Sequence, residues 1–229
     1  MIRCASRRFV ALPGHLGTST DRIRVFDLLG GPLSRNHLDE VDMILMGGSG
    51  HYWVSGEWEW LQRALDSLRL VHDVAKPTFA SCWGFQAMAR AMGGKVIRDM
   101  QRIELETRRL QLTEAGRQDP VFGPLGKTFR GQMGHEDCVE KLPPGTTLLA
   151  STDLVENQAF RFEGKPIYCT QFHPELNRDD LLERVRAYPE YVERTASLTM
   201  EQFIASCQDT PAAESLLPRF ARLFLEGKE

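Results

Sequence analysis

Cys82 stands at a position suited to a nucleophile. It lies in the segment FASCWGFQ at residues 79–86, between a predicted strand and a helical pattern over residues 86–92. A sharp strand-to-helix turn lifts one strained side chain above a sheet and needs small residues two positions on either side, which Ala80 and Gly84 supply. The N-terminus of a helix favours a thiolate, so we predict a nucleophile that reacts near neutral pH. The alternative is a small buried cysteine in a helix cap, since free cysteine is among the most buried residue types.

A histidine and a carboxylate follow another predicted strand. The segment YCTQFHPE at residues 168–175 contains His173 and Glu175, two positions apart. A histidine can take the proton of a thiol, and a carboxylate can hold the other ring nitrogen in the required tautomer. With Cys82 these residues would form a Cys-His-Glu triad. A lone histidine at a strand end is more often structural, so this prediction depends on Cys82.

A glycine-rich turn, MGGSG at residues 46–50, is the third candidate site element. It closes a predicted strand, and in an open parallel sheet ligands bind at this carboxyl edge. Glycines there let backbone N–H groups point into the site, as an oxyanion hole requires. A merely flexible strand-to-helix turn is the alternative.

The elements around these motifs predict an α/β fold. Apolar runs at residues 23–28, 41–46 and 77–80 are typical of buried strands, and residues 61–72 repeat their leucines at helical spacing. Strands that alternate with helices imply an open, mostly parallel sheet with helices on its faces. Residues 9–12 are a candidate first strand that Pro13 interrupts early.

The second half of the chain predicts antiparallel strands and then helices. Apolar and polar residues alternate at period two over residues 103–112, and the runs at 146–150, 157–162 and 166–172 also predict strands. We therefore predict one domain over residues 1–177, with an added antiparallel region. A helical C-terminal extension over residues 178–229 would pack on the same domain, with a surface for docking a partner as the alternative.

Composition excludes several classes of protein. The 229 residues are 42% hydrophobic and 26% charged, and their net charge of −3 offers no footprint for nucleic acid. No apolar run approaches the ~20 residues that span a bilayer, and no secretion signal is visible, so we expect a cytoplasmic protein. A phosphate-loop motif is absent because residue 121 is not glycine, and we predict neither metal nor cofactor. An odd, unpaired set of cysteines argues against a disulfide framework: Cys4, Cys82, Cys138, Cys169 and Cys207.

Taken together, the motifs resemble those of the class I, or triad, glutamine amidotransferases, in particular the amidotransferase domain of GMP synthase. That family carries G-x-C-x-G-x-Q around its nucleophile, F-H-P-E around its histidine and G-G at its oxyanion strand. The segments QMGHED at 132–137 and NQAF at 157–160 are further matches, and the resemblance covers about 25–177. It implies a flavodoxin-like fold. Ala80 replaces the usual glycine and Phe85 a frequent histidine, and neither departure removes chemistry.

The resemblance also implies roles for individual residues. Cys82 would be the nucleophile, His173 the base and Glu175 the residue that orients it, while Gly48 and the backbone of Trp83 would form the oxyanion hole. The implied contacts to the substrate are Gly47, Ser49, Gln86, Gly134 and His135.

The implied activity is attack of Cys82 on the side-chain amide of glutamine, through a γ-glutamyl thioester, with release of ammonia. The sequence contains no synthetase domain that would use the ammonia, so we expect an acceptor on another chain or a free glutaminase. An alternative is a peptidase that acts on another γ-glutamyl compound. A non-catalytic regulatory or binding module is the alternative of a different class, and the joint presence of Cys82, His173 and Glu175 argues against it.

Overall fold

The computed structural model describes residues 2–3, 22–28, 30–187 and 199–225 of the chain. The strands within these ranges are β1 (Ile2–Arg3), β2 (Phe26–Asp27), β3 (Ile44–Met46), β4 (Thr78–Ser81), β5 (Lys95–Arg98), β6 (Glu104–Leu112), β7 (Thr128–His135), β8 (Asp137–Lys141), β9 (Thr146–Ser151), β10 (Ala159–Phe162) and β11 (Ile167–Thr170). The helices are α1 (Arg35–Asp39), α2 (Glu59–Val74), α3 (Trp83–Ala91), α4 (Glu114–Gln118), α5 (Arg178–Ala187), α6 (Met200–Ser206), α7 (Pro211–Glu214) and α8 (Leu216–Leu225).

Nine strands form one sheet in the order β2-β1-β3-β4-β11-β10-β9-β6-β7. Among the first five of these strands, from β2 to β11, each adjacent pair is parallel. Their order is that of a flavodoxin-like sheet. Every residue of β3 and β4 is buried, which explains why neither strand alternates apolar and polar residues. The predicted α/β fold, with a mostly parallel sheet and flanking helices, is confirmed.

Two parallel strands are shorter than the apolar runs that predicted them. Within residues 23–28 only Phe26–Asp27 forms a strand, and within 41–46 only Ile44–Met46 does. The carbonyl of Val41 accepts a hydrogen bond of 2.8 Å from Lys76 Nζ, so this end of the run is bound by a side chain instead of a strand. The candidate strand at residues 9–12 lies outside the described residues.

Antiparallel strands continue the same sheet beyond β11. The alternating run at 103–112 forms β6, which pairs antiparallel with β7 and β9, while β10 pairs antiparallel with β9 and β11. The last predicted strand ends at Thr170, two residues earlier than expected, because the chain then leaves the sheet. β5 and β8 form a separate two-stranded ribbon. The sequence did not predict it, because both strands are short and neither alternates strictly between apolar and polar residues.

Helices cover both faces of the sheet. Ala80 of β4 belongs to the core that Leu61, Leu65 and other residues of α2 complete on one face. Phe79, its neighbour in the strand, points to the other face and packs edge-on against Phe220 of α8, with ring centroids 5.5 Å apart. Successive side chains of a strand point to opposite faces of the sheet, as these two do. The division of the chain into residues 1–177 and 178–229 stays a prediction.

Candidate active site

Cys82 occupies a strained turn between β4 and α3. Its φ of 51° and ψ of −104° lie outside the regions that non-glycine residues favour. Its backbone N–H donates to the carbonyl of Thr170 at the end of β11, 2.8 Å away, and its own carbonyl accepts from the N–H of Gln86 at 3.1 Å. The predicted sharp turn is therefore present, with Cys82 as the N-cap of α3.

Gly84 allows this turn to approach β3 closely. A Cβ atom at residue 84 would lie 2.8 Å from Met46 Cβ and 3.2 Å from Ala80 Cβ, distances that van der Waals contact forbids or barely allows. A glycine at this position thus compensates for the methyl group of Ala80. The small residues on either side of Cys82 are in mutual contact.

His173 and Glu175 lie beside Cys82, just beyond the end of β11. The Nδ1 atom of His173 lies 2.7 Å from Oε1 of Glu175, and both side chains are buried. The imidazole also lies close enough to Cys82 for the two side chains to interact electrostatically. The backbone N–H of His173 donates to the carbonyl of Gln132 on β7 at 2.9 Å. The structure thus brings the three residues of the predicted triad together.

The charges of this group reinforce one another. Burial alone would lower the pKa of His173, but the interactions with Glu175 and Cys82 outweigh it and raise this pKa to about 9. Burial opposes the ionisation of Glu175, yet the charge and hydrogen bond of His173, together with the charge of Arg184, lower its pKa. The pair therefore holds an imidazolium and a carboxylate at neutral pH.

Gly48, in the turn after β3, lies against the sulfur and the imidazole. A Cβ atom at residue 48 would lie 2.7 Å from His173 Cε1 and 3.3 Å from Cys82 Sγ. Ser49 Oγ accepts hydrogen bonds from the backbone N–H groups of His51 and Tyr52, which closes the turn. Trp83 is the first residue of α3, where backbone N–H groups have no partner within the helix. Both predicted oxyanion-hole segments therefore border Cys82.

The 132–137 motif reaches the sulfur through Gly134. The carbonyl of Gly134 is 3.7 Å from Cys82 Sγ. The ring of His135 is buried, with Nδ1 3.0 Å from the carbonyl of Asp137 and Nε2 3.2 Å from Glu104 Oε2. Gln86 Nε2 donates to the carbonyl of Asp137 at 2.9 Å. The predicted substrate contacts of Gln86 and His135 stay predictions, and in this structure their side chains make internal hydrogen bonds.

Asp137 is a buried residue for which the sequence suggested no role. Its carboxylate accepts hydrogen bonds from the N–H groups of Val54 and Ser55, both at 2.9 Å, and from Ser55 Oγ at 3.0 Å. Its carbonyl accepts from Gln86, one helical turn after Cys82. Asp137 therefore ties the segment that follows the Gly48 turn to α3. Its place at the end of the 132–137 motif was the indication in the sequence that Asp137 could matter to the site.

Two other kinds of feature are missing from the described part of the molecule. Across residues 2–3, 22–28, 30–187 and 199–225, no group of three or more His, Cys, Asp or Glu side chains is arranged to hold a metal ion. Within the same ranges, no helix is both long and apolar enough to cross a membrane.

The arrangement is suited to acyl transfer from an amide. A sulfur, an imidazole and a carboxylate lie next to one another in that order. Backbone N–H groups near the sulfur could bind the oxygen of a tetrahedral intermediate. Such a set can cleave a C–N bond through a thioester without a metal.

A family model described as glutamine amidotransferase class-I matches residues 31–181 of the chain. Among named relatives, the chain is similar to γ-glutamyl peptidase 4 of Arabidopsis thaliana, with 30% identity over 202 residues that cover 85% of this chain and 79% of the relative. It is also similar to one subunit of the glutamine-hydrolysing GMP synthase of Methanocaldococcus jannaschii, with 30% identity over 116 residues that cover 51% of this chain and 60% of the relative.

Solved structures share the architecture. A glutamine amidotransferase from Thermotoga maritima superposes with a TM-score of 0.74 at 18% identity, covering 94% of this chain and 90% of that one. A glutamine amidotransferase from Methylobacillus flagellatus superposes with a TM-score of 0.70 at 18% identity, covering 96% and 90%. At this identity the likeness concerns the fold.

Proposed function

The chain belongs to the class-I glutamine amidotransferase family, and on that premise we propose that it cleaves the γ-glutamyl C–N bond of glutamine by means of Cys82, His173 and Glu175. One observation carries the proposal: a chain of neighbouring side chains runs from the strained Cys82 to His173 and on to Glu175, whose Oε1 lies 2.7 Å from His173 Nδ1. An isolated buried cysteine or a structural histidine needs no such chain of contacts. The same chain of contacts argues against a purely regulatory module.

The reaction would proceed in two halves. With the thiol proton of Cys82 held on His173, the sulfur attacks the γ-carbonyl carbon, and the carbonyl oxygen takes up negative charge beside the N–H groups of Gly48 and Trp83. His173 gives its Nε2 proton to the departing nitrogen, so that ammonia leaves and a γ-glutamyl thioester remains. Water then attacks the thioester, His173 takes a proton from that water, and glutamate is released. Glu175 holds the imidazole and stabilises its positive charge without transferring a proton.

We propose further that the ammonia is used by an acceptor on another chain. This is supported by the similarity to one subunit of a GMP synthase, which by its name is one part of a larger enzyme. The purified chain alone should then hydrolyse glutamine weakly. Vigorous ammonia release by the chain alone, at the ordinary enzymatic turnover of ~1 to 1000 per second, would instead identify a free-standing hydrolase.

A peptidase that acts on γ-glutamyl amides is the second candidate. It is favoured by coverage, because the match to γ-glutamyl peptidase 4 extends over 85% of this chain, whereas the match to the GMP synthase relative covers 51%. The two candidates share the acyl-enzyme and differ in the leaving group, which is ammonia in one and a substituted amine in the other.

Product analysis with trapping of the acyl-enzyme tests these proposals. The purified chain is incubated with glutamine and with γ-glutamyl dipeptides, α-glutamyl dipeptides serving as controls, and released ammonia and amines are measured. Mass spectrometry should find one glutamyl group on Cys82. Cys82→Ala and His173→Ala should abolish turnover, Glu175→Gln should leave measurable activity, and Cys169→Ala, a buried cysteine of β11, should behave as wild type. An active Cys82→Ala variant would refute the proposal.

A further inference from the structure

The C-terminal helices reach the sheet through a small set of polar groups. In the segment between α6 and α7, the backbone N–H of Gln208 donates to Thr107 Oγ1, and its carbonyl accepts from Gln132 Nε2, both at 2.8 Å. Thr107 Oγ1 donates in turn to Gln132 Oε1 at 2.8 Å. We call Thr107, Gln132 and Gln208 the C-terminal clamp. The side chains of Thr107 and Gln132 thus bind the backbone N–H and the backbone carbonyl of Gln208.

Gln132 connects the clamp to the imidazole. It is fully buried on β7, directly opposite Thr107 of β6. Its backbone carbonyl accepts the N–H of His173 at 2.9 Å. Because His173 lies three residues beyond β11, no strand ladder fixes its backbone. Gln132 therefore supplies a hydrogen bond that supports the backbone of His173.

The backbone next to the clamp is strained. Glu106, the residue before Thr107, has a φ of 70° although it lies within β6 and is not glycine. Such a conformation persists only where the surroundings determine it, and strain of this kind is concentrated at functional sites. The strain thus marks the point of β6 where the C-terminal segment is attached.

Other C-terminal residues converge on the same pair. Arg184 of α5 contributes to the lowered pKa of Glu175. Leu217 of α8 and Glu175 line one small cavity beneath the turn after β3. The C-terminal helices therefore place a guanidinium that acts on the charge of Glu175 and an apolar side chain at the same cavity as Glu175.

We propose that the C-terminal segment is a positioning element of the active site, in which the clamp holds His173 in register with Cys82. The inference rests on the proposed function, since it takes His173 to be the catalytic base. In this role Thr107 and Gln132 neither contact the substrate nor transfer a proton. They fix the position of another residue. Loss of the clamp should lower the rate of the chemical step and leave substrate affinity nearly unchanged.

Thr107→Val and Thr107→Ser form a matched pair for the test. The valine variant keeps the shape of the side chain but removes the hydroxyl, whereas the serine variant keeps the hydroxyl. We expect Thr107→Val to lower kcat by about three- to tenfold, the effect of one net hydrogen bond, with KM unchanged. Thr107→Ser should restore wild-type rates. Gln132→Met should resemble Thr107→Val, and Gln111→Met, at an exposed position of β6, is its control.

The pH profile of Cys82 alkylation by iodoacetamide supplies a readout that requires no substrate. Glu175 and Cys82 are titratable groups in contact with His173, and Arg184 acts on Glu175. The clamp substitutions change none of these groups, so a shifted profile would report a displaced imidazole. We expect the shift in Thr107→Val and its absence in Thr107→Ser.

Two outcomes would overturn the inference in distinguishable ways. If Thr107→Val folds with the wild-type melting temperature and keeps the wild-type kcat and alkylation profile, the clamp does not position His173. If Cys82 of the wild-type protein is alkylated no faster than in His173→Ala, the proposed function itself fails and the inference fails with it. Should Thr107→Val not fold, Gln132→Met takes its place in both measurements.

Discussion

At the scale of single residues, the unfavourable backbone of Cys82 is held by its neighbours. A non-glycine residue in such a region costs about 1–3 kcal/mol. The N–H of Cys82 bonds to Thr170 and its carbonyl to Gln86, so the conformation is fixed from the sheet on one side and from α3 on the other. The sulfur is thereby presented to His173 by the geometry of the backbone, before any substrate binds.

We predict that Cys82 is the most reactive of the cysteines that the structure describes. Burial raises the pKa of Cys138, of Cys169 and of Cys207, the last to about 11, whereas Cys82 lies beside the imidazole of His173, which can hold the thiol proton. Peptide mapping after brief alkylation at neutral pH measures the order of labelling. His173→Ala serves as the control and should slow the labelling of Cys82 alone. Earlier labelling of any of the other three thiols would contradict the assignment.

A second prediction concerns stability against pH. The pKa of His173 in the folded protein, about 9, exceeds its ordinary value of 6.5, so the folded chain keeps a proton that the unfolded chain loses between these values. The resulting stabilisation is complete below about pH 6.5 and is lost as the pH rises through about 9. Urea unfolding at about pH 6 and at about pH 9.5 should show a larger loss of free energy of unfolding for wild type than for the His173→Gln/Glu175→Gln double variant. Parallel losses in the two proteins would contradict the pairing.

Sequence patterns could identify some of these residues and not others. Cys82, His173 and Gly48 stand in short motifs at strand ends, and the parallel sheet brings such ends together. Thr107, Gln132 and Asp137 are ordinary polar residues in strands, and their partners are set by strand register or lie in distant segments of the chain. A period-two pattern says which face a side chain takes but not which residue lies opposite, so these contacts became visible only in the structure.

At the scale of elements, the turn after β3 supplies a test with a built-in control. In Gly48→Ala, the new Cβ would lie 2.7 Å from His173 Cε1, whereas a Cβ at Gly50 meets no atom within 4 Å. We expect Gly48→Ala to lower kcat by about 100-fold, because a displacement of about 1 Å in an active site has effects of that size. Gly50→Ala should keep wild-type activity. Steady-state kinetics and melting temperatures of both variants decide the matter, and an active Gly48→Ala would show that the turn can move away.

The order of elements also explains where the sequence-based fold prediction succeeded. β3 is a continuous apolar run and β4 has two apolar residues in succession, a pattern that a strand buried on both faces explains. β5 and β8 are partly exposed and pair only with each other, so neither face imposes a regular pattern. Their existence depends on mutual pairing, which the local sequence does not encode.

At the scale of the whole molecule, α8 completes the core on one face of the sheet. Phe220 is fully buried against the rings of Phe79, Tyr168 and Phe224. We expect Phe220→Ala to lower the free energy of unfolding by about 3–5 kcal/mol, as loss of a buried aromatic ring does. Leu223→Ala, at a residue that is 45% exposed in the same helix, should change it by no more than about 0.5 kcal/mol. Equal effects in a urea titration would mean that α8 is not anchored by its buried face.

The position of β4 between β3 and β11 has a consequence for how the protein folds. β11 starts at Ile167, far along the chain from its partner Thr78, so the β4–β11 pairing closes a long loop and belongs to the slow, non-local part of folding. Until it forms, the N–H of Cys82 has no Thr170 carbonyl to donate to, and His173 is not beside the sulfur. A nascent or partly refolded chain therefore carries an ordinary thiol. The appearance of rapid alkylation during refolding should mark the moment at which the last parallel strand enters the sheet.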